Sequence, residues 1–265
     1  MDLQLTGRRA LVTGSSSGIG AGIARTLAAE GARVVVHGRD AARTTAVAQS
    51  IKASVALGDL STEVGAAQVA DTVMGVCGGI DILVNNAGGR VVSGNPAWLD
   101  TPFTDWVGGY EQNVGSAVRM VQRFVPGMKA QGFGRVIQIA SVAATQPEVD
   151  IAEYQAAKAA MVNLTMSLAR TLAHTGVTVN TVSPGGVMTP ALEAWMRTLA
   201  GQRGWGDNLA EIEQRFTREM IPLCVPRVGR PEDIGRMVAF LASPLSGYVT
   251  GADFRVDGGQ CRSVN

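Results

Sequence analysis

Short apolar runs recur along the chain, each followed by a longer, alanine-rich stretch with helical spacing. The clear runs are Ala10-Leu11-Val12-Thr13, Val34-Val35-Val36-His37, Ile82-Leu83-Val84-Asn85, Val136-Ile137-Gln138-Ile139-Ala140, Val177-Thr178-Val179-Asn180-Thr181-Val182 and Phe254-Arg255-Val256, and Ser54-Val55-Ala56-Leu57 is a weaker seventh. Their apolarity is mostly continuous rather than alternating, which suits strands covered by helices on both faces. The pattern predicts an α/β fold: a doubly wound, Rossmann-type parallel sheet of about seven strands flanked by helices. At 265 residues the chain lies within what one core can occupy, so residues 1–265 are expected to form a single domain.

One stretch breaks the rhythm. From Thr189 to Arg227 two tryptophans, several glycines and prolines, and a charged helical piece replace the next short connection. A long excursion at the carboxyl edge of a sheet is usually functional, and 189–227 is expected to be a substrate lid. Met188, Leu192, Trp195, Trp205 and Met220 supply apolar material there, which suits a hydrophobic substrate or the lid's own packing.

Composition narrows the partners. A net charge of +1 gives no field for nucleic acid or an anionic membrane, so neither is expected. A small-molecule partner fits better. The three cysteines are scattered and lack a histidine cluster, which argues against a disulfide framework or a zinc site and for a reducing compartment. With neither a leader pattern nor an apolar run of about 18 residues, a cytoplasmic location is expected.

The first strand runs into Thr13-Gly14-Ser15-Ser16-Ser17-Gly18-Ile19-Gly20, and a helical pattern follows up to Gly31. Strand, glycine turn and helix are the context in which backbone amides and a helix N-terminus receive a pyrophosphate. The spacing of Gly14, Gly18 and Gly20 is G-x-x-x-G-x-G rather than G-x-G-x-x-G. Further elements follow in order: Asn85-Asn86-Ala87-Gly88 ends the fourth strand, Asn113 lies beyond it, and Ser141 ends the fifth. Tyr154-x-x-x-Lys158 opens the next helix, and Pro184-Gly185 follows the sixth strand. This ordered set covers nearly the whole chain and resembles the classical short-chain dehydrogenase/reductase family.

The resemblance implies a nicotinamide dinucleotide held by Gly14, Ser16, Ser17, Gly18, Ile19 and Gly20, and by Asn86, Ala87 and Gly88. It also implies a homotetramer or homodimer, with the tetramer favoured. Asp59-Leu60 matches the family's adenine clamp, although a helix cap is the other role open to Asp59. Pro184, Gly185, Val187 and Thr189 match the segment that contacts the nicotinamide carboxamide. At the end of the second strand, Gly38 stands where NAD-dependent members commonly carry Asp, and Arg39 where NADP-dependent members carry a phosphate-binding Arg. NADP(H) is therefore favoured over NAD(H).

The catalytic set implied is Asn113, Ser141, Tyr154 and Lys158. Four residues apart on a helix, Tyr154 and Lys158 share a face. A phenol of pKa about 10 is a poor base at neutral pH, but an adjacent ammonium and an oxidised nicotinamide both favour phenolate. Ser141 can hold the substrate oxygen as charge develops on it. Lys158 is expected to hold the nicotinamide ribose as well, and Asn113 to support a water leading from Lys158. His37 and His174 are not needed for this chemistry. The activity expected is hydride transfer between the nicotinamide and a ketone or secondary alcohol, with Tyr154 as general acid/base. A 3-oxoacyl-(acyl carrier protein) reductase is the narrower alternative, disfavoured because Gly132 and Thr175 stand near where relatives carry basic residues. A dinucleotide-sensing regulator without turnover is the non-enzymatic one.

Overall fold

The computed structural model describes residues 1–90, 97–147 and 149–263. Seven strands form one parallel sheet: β1 (Arg9–Val12), β2 (Arg33–Gly38), β3 (Ser54–Leu57), β4 (Ile82–Asn85), β5 (Gly134–Ile139), β6 (Val177–Pro184) and β7 (Asp253–Val256). Their order is β3-β2-β1-β4-β5-β6-β7. The central strands β4, β5 and β6 are buried along their whole length, as their mostly apolar runs led one to expect. At the edges, β3 and β7 are mostly half-buried, which is why Ser54–Leu57 gave the weakest signal.

The connections are helices α1 (Gly18–Ala29), α2 (Ala41–Ser50), α3 (Glu63–Cys77), α4 (Phe103–Tyr110), α5 (Ser116–Ala130), α6 (Ala152–Thr171), α7 (Pro190–Arg203), α8 (Leu209–Glu219) and α9 (Pro231–Ala242). A π-helical turn, Glu111–Gly115, joins α4 to α5. One apolar cluster packs Ile23 and Leu27 of α1 and Val238 of α9 against Val12, Val36 and Val84. A second covers the opposite face with Val69 of α3 and Met120 and Phe124 of α5 against Leu11, Val35 and Leu83. Alternate residues of one strand thus feed opposite layers, as the pleat dictates. No described helix is long and apolar enough to cross a membrane.

From β1 the chain builds outward to β2 and β3, then returns to place β4 on the other side of β1. This reversal opens a crevice between the loops after β1 and β4. Val12 pairs with both Val36 and Val84, so those loops start level with one another at the carboxyl edge, where open α/β sheets bind ligands.

Candidate active site

The turn after β1 is held by side chains of neighbouring strands. Thr13 Oγ1 accepts from the amides of Asn86 and Ala87, both at 2.9 Å, and donates to Val84 O at 3.2 Å. Asn86 Nδ2 donates back to Thr13 O at 2.9 Å and Gly14 O at 3.1 Å. This interlock leaves no room for side chains at Gly14 and Gly20. A Cβ on Gly14, at φ +63°, would lie 2.8 Å from Ala87 Cα, and one on Gly20 would collide with Asn86 Nδ2 and Gly14 O. Ser17 is the N-cap of α1 in extended conformation and makes no side-chain cap bond, so it leaves the first-turn amides of α1 uncapped. The turn is a cradle sized for backbone approach, and a pyrophosphate fits its donors.

Beside it lies a cavity of about 260 Å³ lined by Ser16, Ser17, Gly38, Arg39, Arg43, Asp59 and Leu60, among others. Arg39 reaches Asp59 at 3.7 Å and Arg43 reaches Asp40 at 3.2 Å, and both arginine side chains are well exposed. Asp59 Oδ1 accepts from Ser61 N and Oγ at 3.0 and 2.8 Å. It does not cap α3: that role belongs to Thr62, which accepts from Gly65 N at 3.1 Å. Gly38 is a packed position too. A Cβ there would collide with Thr44 Oγ1 and lie 2.9 Å from Ser16 Cβ. Gln112 and Ser116 also face this cavity, a contribution no local sequence signal announced.

Three of the four residues expected to be catalytic lie at the end of β5 and in the first turns of α6. Ser141, directly after β5, shares a hydrogen bond with Tyr154 and accepts from Ala143 N at 3.2 Å. Tyr154 and Lys158 lie one turn apart on α6, with the ammonium 5.5 Å from the phenol ring centroid. Lys158 is buried and donates to Ile139 O at 2.9 Å. Burial pushes its ammonium down to about 8. It also pushes the Tyr154 phenol above its ordinary value, against the opposite pull of Ser141. The expected drop in the phenol is therefore not produced by the protein's own groups: desolvation outweighs them, and Lys158 spends a hydrogen bond on a main-chain carbonyl.

Asn113 sits fully buried in the π-helical turn. Its Nδ2 donates to Gly89 O and Gly109 O, both at 2.8 Å, and its Oδ1 accepts from Gly89 N at 3.0 Å. Its side chain thus ties the loop after β4 to the helix behind it. A Cβ on Gly88 would collide with Asn113 Oδ1 and lie 3.5 Å from Lys158 Nζ, so the loop passes close over the lysine.

The cradle, Tyr154 and Lys158 face one cleft of about 930 Å³, which Ser141 and Asn113 do not themselves line. Gly14, Ser17, Gly18, Ile19, Gly20, Asn86, Ala87 and Gly88 line one side, with Tyr154, Lys158, Thr189 and Leu192 further along. Arg90, half-buried 3.5 Å from Glu153, lines it as well, unannounced in sequence beyond its place after Asn86-Ala87-Gly88-Gly89. Gly185 N donates to Val256 O at 3.2 Å and Gly186 N to Gln260 Oε1 at 2.8 Å, so the chain after Pro184 is pinned before it reaches Thr189. Val187 pairs with Gly229 and is buried. Thr189 caps α7, accepting from Leu192 N at 3.2 Å.

Helices α7 and α8 carry a core of their own, in which Met196, Trp205, Ile212 and Phe216 are buried and Met188, Leu192 and Met220 pack around them. Trp195 meets Phe216 edge-on at 5.1 Å. Trp205 therefore belongs to packing within the excursion, Trp195 rests on Phe216 while staying 49% exposed, and of the apolar residues singled out there, Leu192 lines the cleft.

A family model described as enoyl-(acyl carrier protein) reductase matches residues 14–260. The chain is 38% identical over 270 residues to an uncharacterised oxidoreductase of Bacillus subtilis, covering 100% of both. It is also similar to two solved structures. L-sorbose reductase from Gluconobacter frateurii, complexed with NADPH and L-sorbose, is 33% identical with TM-score 0.91, and 100% of each chain is covered. A 7α-hydroxysteroid dehydrogenase complexed with NADH is 32% identical with TM-score 0.84, covering 100% of this chain and 98% of that one. Sheet order, glycine turn and full-length similarity agree: the chain belongs to the classical short-chain dehydrogenase/reductase family, whose members are nicotinamide-dependent oxidoreductases of small molecules.

Proposed function

We propose that the protein is an NADP(H)-preferring oxidoreductase that interconverts a ketone and a secondary alcohol, with Tyr154 as general acid/base. What supports this reading most is one cleft holding the glycine cradle together with Ser141-bonded Tyr154 and Lys158. When bound, the cofactor supplies the hydride and, in its oxidised form, a positive charge that favours phenolate.

The chain's own groups do the rest. The uncapped α1 amides and the cradle of Gly14, Gly18 and Gly20 hold the pyrophosphate. Tyr154, kept protonated by burial, gives its proton to the carbonyl oxygen, and Ser141 donates to the same oxygen as negative charge grows there. Lys158, anchored on Ile139 O, presents its remaining N–H groups toward the nicotinamide ribose and the phenol. Asn113 and Asn86 brace the loop after β4 around this arrangement. Arg39 and Arg43 supply the positive charge for a 2′-phosphate. We further propose that residues 189–227 act as a lid hinged beside Thr189, that the enzyme is a cytoplasmic homotetramer, and that nucleic acid and membranes are not partners.

The test is a panel of ketones and secondary alcohols with both cofactors, followed at the nicotinamide absorbance band. Turnover of at least one ketone, faster with NADPH than with NADH at equal concentration, supports the reading. Binding of either cofactor without any turnover would favour a dinucleotide sensor instead.

A further inference from the structure

His37 is the penultimate residue of β2, buried and lining the cavity beside the glycine turn. Its main chain is committed to the glycine turn: N–H donates to Ser15 Oγ at 2.9 Å and C=O accepts from Ser15 N at 2.8 Å. The ring makes two more bonds. Nδ1 accepts from the amide of Gly14 at 3.0 Å, and Nε2 lies 3.1 Å from the carbonyl oxygen of Gly58. A donor facing Nδ1 and an acceptor facing Nε2 select one state of the imidazole, with its single proton on Nε2.

The two backbone partners belong to opposite sides of the dinucleotide site. Gly14 opens the phosphate cradle, and Gly58 immediately precedes Asp59 and Leu60, which line the adenosine cavity together with His37 itself. We infer that His37 is a positioning residue for the dinucleotide, its ring clamping the Gly14 amide and the Gly58 carbonyl and so fixing the distance between phosphate cradle and adenine wall.

The electrostatics agree. Burial pushes the imidazole down to about 4, the Gly58 carbonyl pulls upward, and the nearby charges of Arg39 and Asp59 act in opposite directions. The ring is neutral at physiological pH and keeps Nδ1 free to accept. Without it the Gly14 amide loses a buried acceptor, a costly loss because Gly14 has no side chain of its own and Ser15 Oγ is already engaged with Val12 O and His37 N.

This inference rests on the proposed dinucleotide site, and the experiment separates the two. NADPH dissociation constants are measured by nucleotide fluorescence for wild type, His37→Phe and His37→Asn, together with the kcat of each at saturating NADPH on a ketone the wild type reduces. His37→Phe keeps a planar ring without either bond, and is expected to bind NADPH about tenfold more weakly while retaining kcat within about twofold. His37→Asn returns an acceptor toward Gly14 and should recover to within about threefold of wild type. Wild-type affinity in His37→Phe would overturn the inference, as would equal losses of affinity and kcat in both variants, the mark of a merely loosened fold. If His37→Phe does not fold, His37→Leu carries the same arm. A wild type that binds neither NADPH nor NADH would instead defeat the dinucleotide reading itself.

Discussion

Lys158 holds its ammonium 5.5 Å from the ring centroid of Tyr154 while donating to the carbonyl oxygen of Ile139 at 2.9 Å. The lysine is therefore fixed to the end of β5 beside the phenol, and under the proposed function its remaining donors serve the phenol and the nicotinamide ribose. Lys158→Ala should cost turnover at least ~100-fold and also weaken NADPH binding. Unchanged NADPH affinity, read by equilibrium fluorescence, would remove the ribose contact from its role.

Under the proposed function, Arg39 and Arg43 together set the preference for NADP(H). A charge-assisted, bidentate contact to a 2′-phosphate is worth about 1.5 to 3 kcal/mol, or roughly tenfold to a hundredfold in affinity. Because Arg43 faces the same cavity, Arg39→Ala alone is expected to lose less than the Arg39→Ala/Arg43→Ala pair, which should bind NADPH and NADH about equally. A wild type binding NADH more tightly would contradict the assignment. Installing an aspartate at Gly38 is a poor alternative test, since its Cβ would collide with Thr44.

Within the excursion between β6 and α9, the α7 end beside Thr189 is expected to move more than the α8 end. The excursion's buried Trp205 and Phe216 form a separate cluster, while Glu213 anchors its far end through Arg230 at 2.7 Å and Val228 N at 3.0 Å. Hydrogen exchange should therefore show the α7 segment beside Thr189 and Leu192 protected more strongly in the ternary complex than in the free protein, with α8 changing less. Equal, strong protection of α7 in both states would mark a fixed extension instead.

Acid should weaken the fold through His37. Its imidazole titrates near 4 in the folded protein against an ordinary 6.5, so the folded form is the poorer proton acceptor. The unfolded chain gains its proton as pH falls below about 6.5, and stability declines until about pH 4, where the folded form takes up the proton too. The loss accumulates to about 3 kcal/mol. Urea unfolding of wild type and His37→Asn between pH 7 and 4 checks this: the wild type should lose about that much more. Parallel curves would contradict it.

Much of this was legible from residues that must meet specific neighbours. Gly14 and Gly20 announce a cradle because the packing there leaves no space for Cβ atoms, Gly18 because its φ of +55° favours glycine, and Tyr154 and Lys158 announce a pair because one helical turn separates them. The buried strands declared themselves by mostly apolar runs, and β3, short and mostly half-buried, did so weakly. What stayed hidden depends on distant contacts. His37 serves Gly14 and Gly58, Asn113 is drawn into a π-helical turn by Gly89 and Gly109, and Asp59 gives its cap to Thr62. The tryptophans of the excursion offered two uses, and only the packing of α7 on α8 chose between them.

The most direct test of the catalytic proposal is single-turnover hydride transfer in Tyr154→Phe, followed at the nicotinamide absorbance band with a ketone the wild type reduces. The variant keeps the ring and deletes the proton. It should bind NADPH with wild-type affinity and transfer hydride at least ~100-fold more slowly. Hydride transfer at near wild-type rate would contradict Tyr154 as the acid, and with it the chemistry proposed for the site.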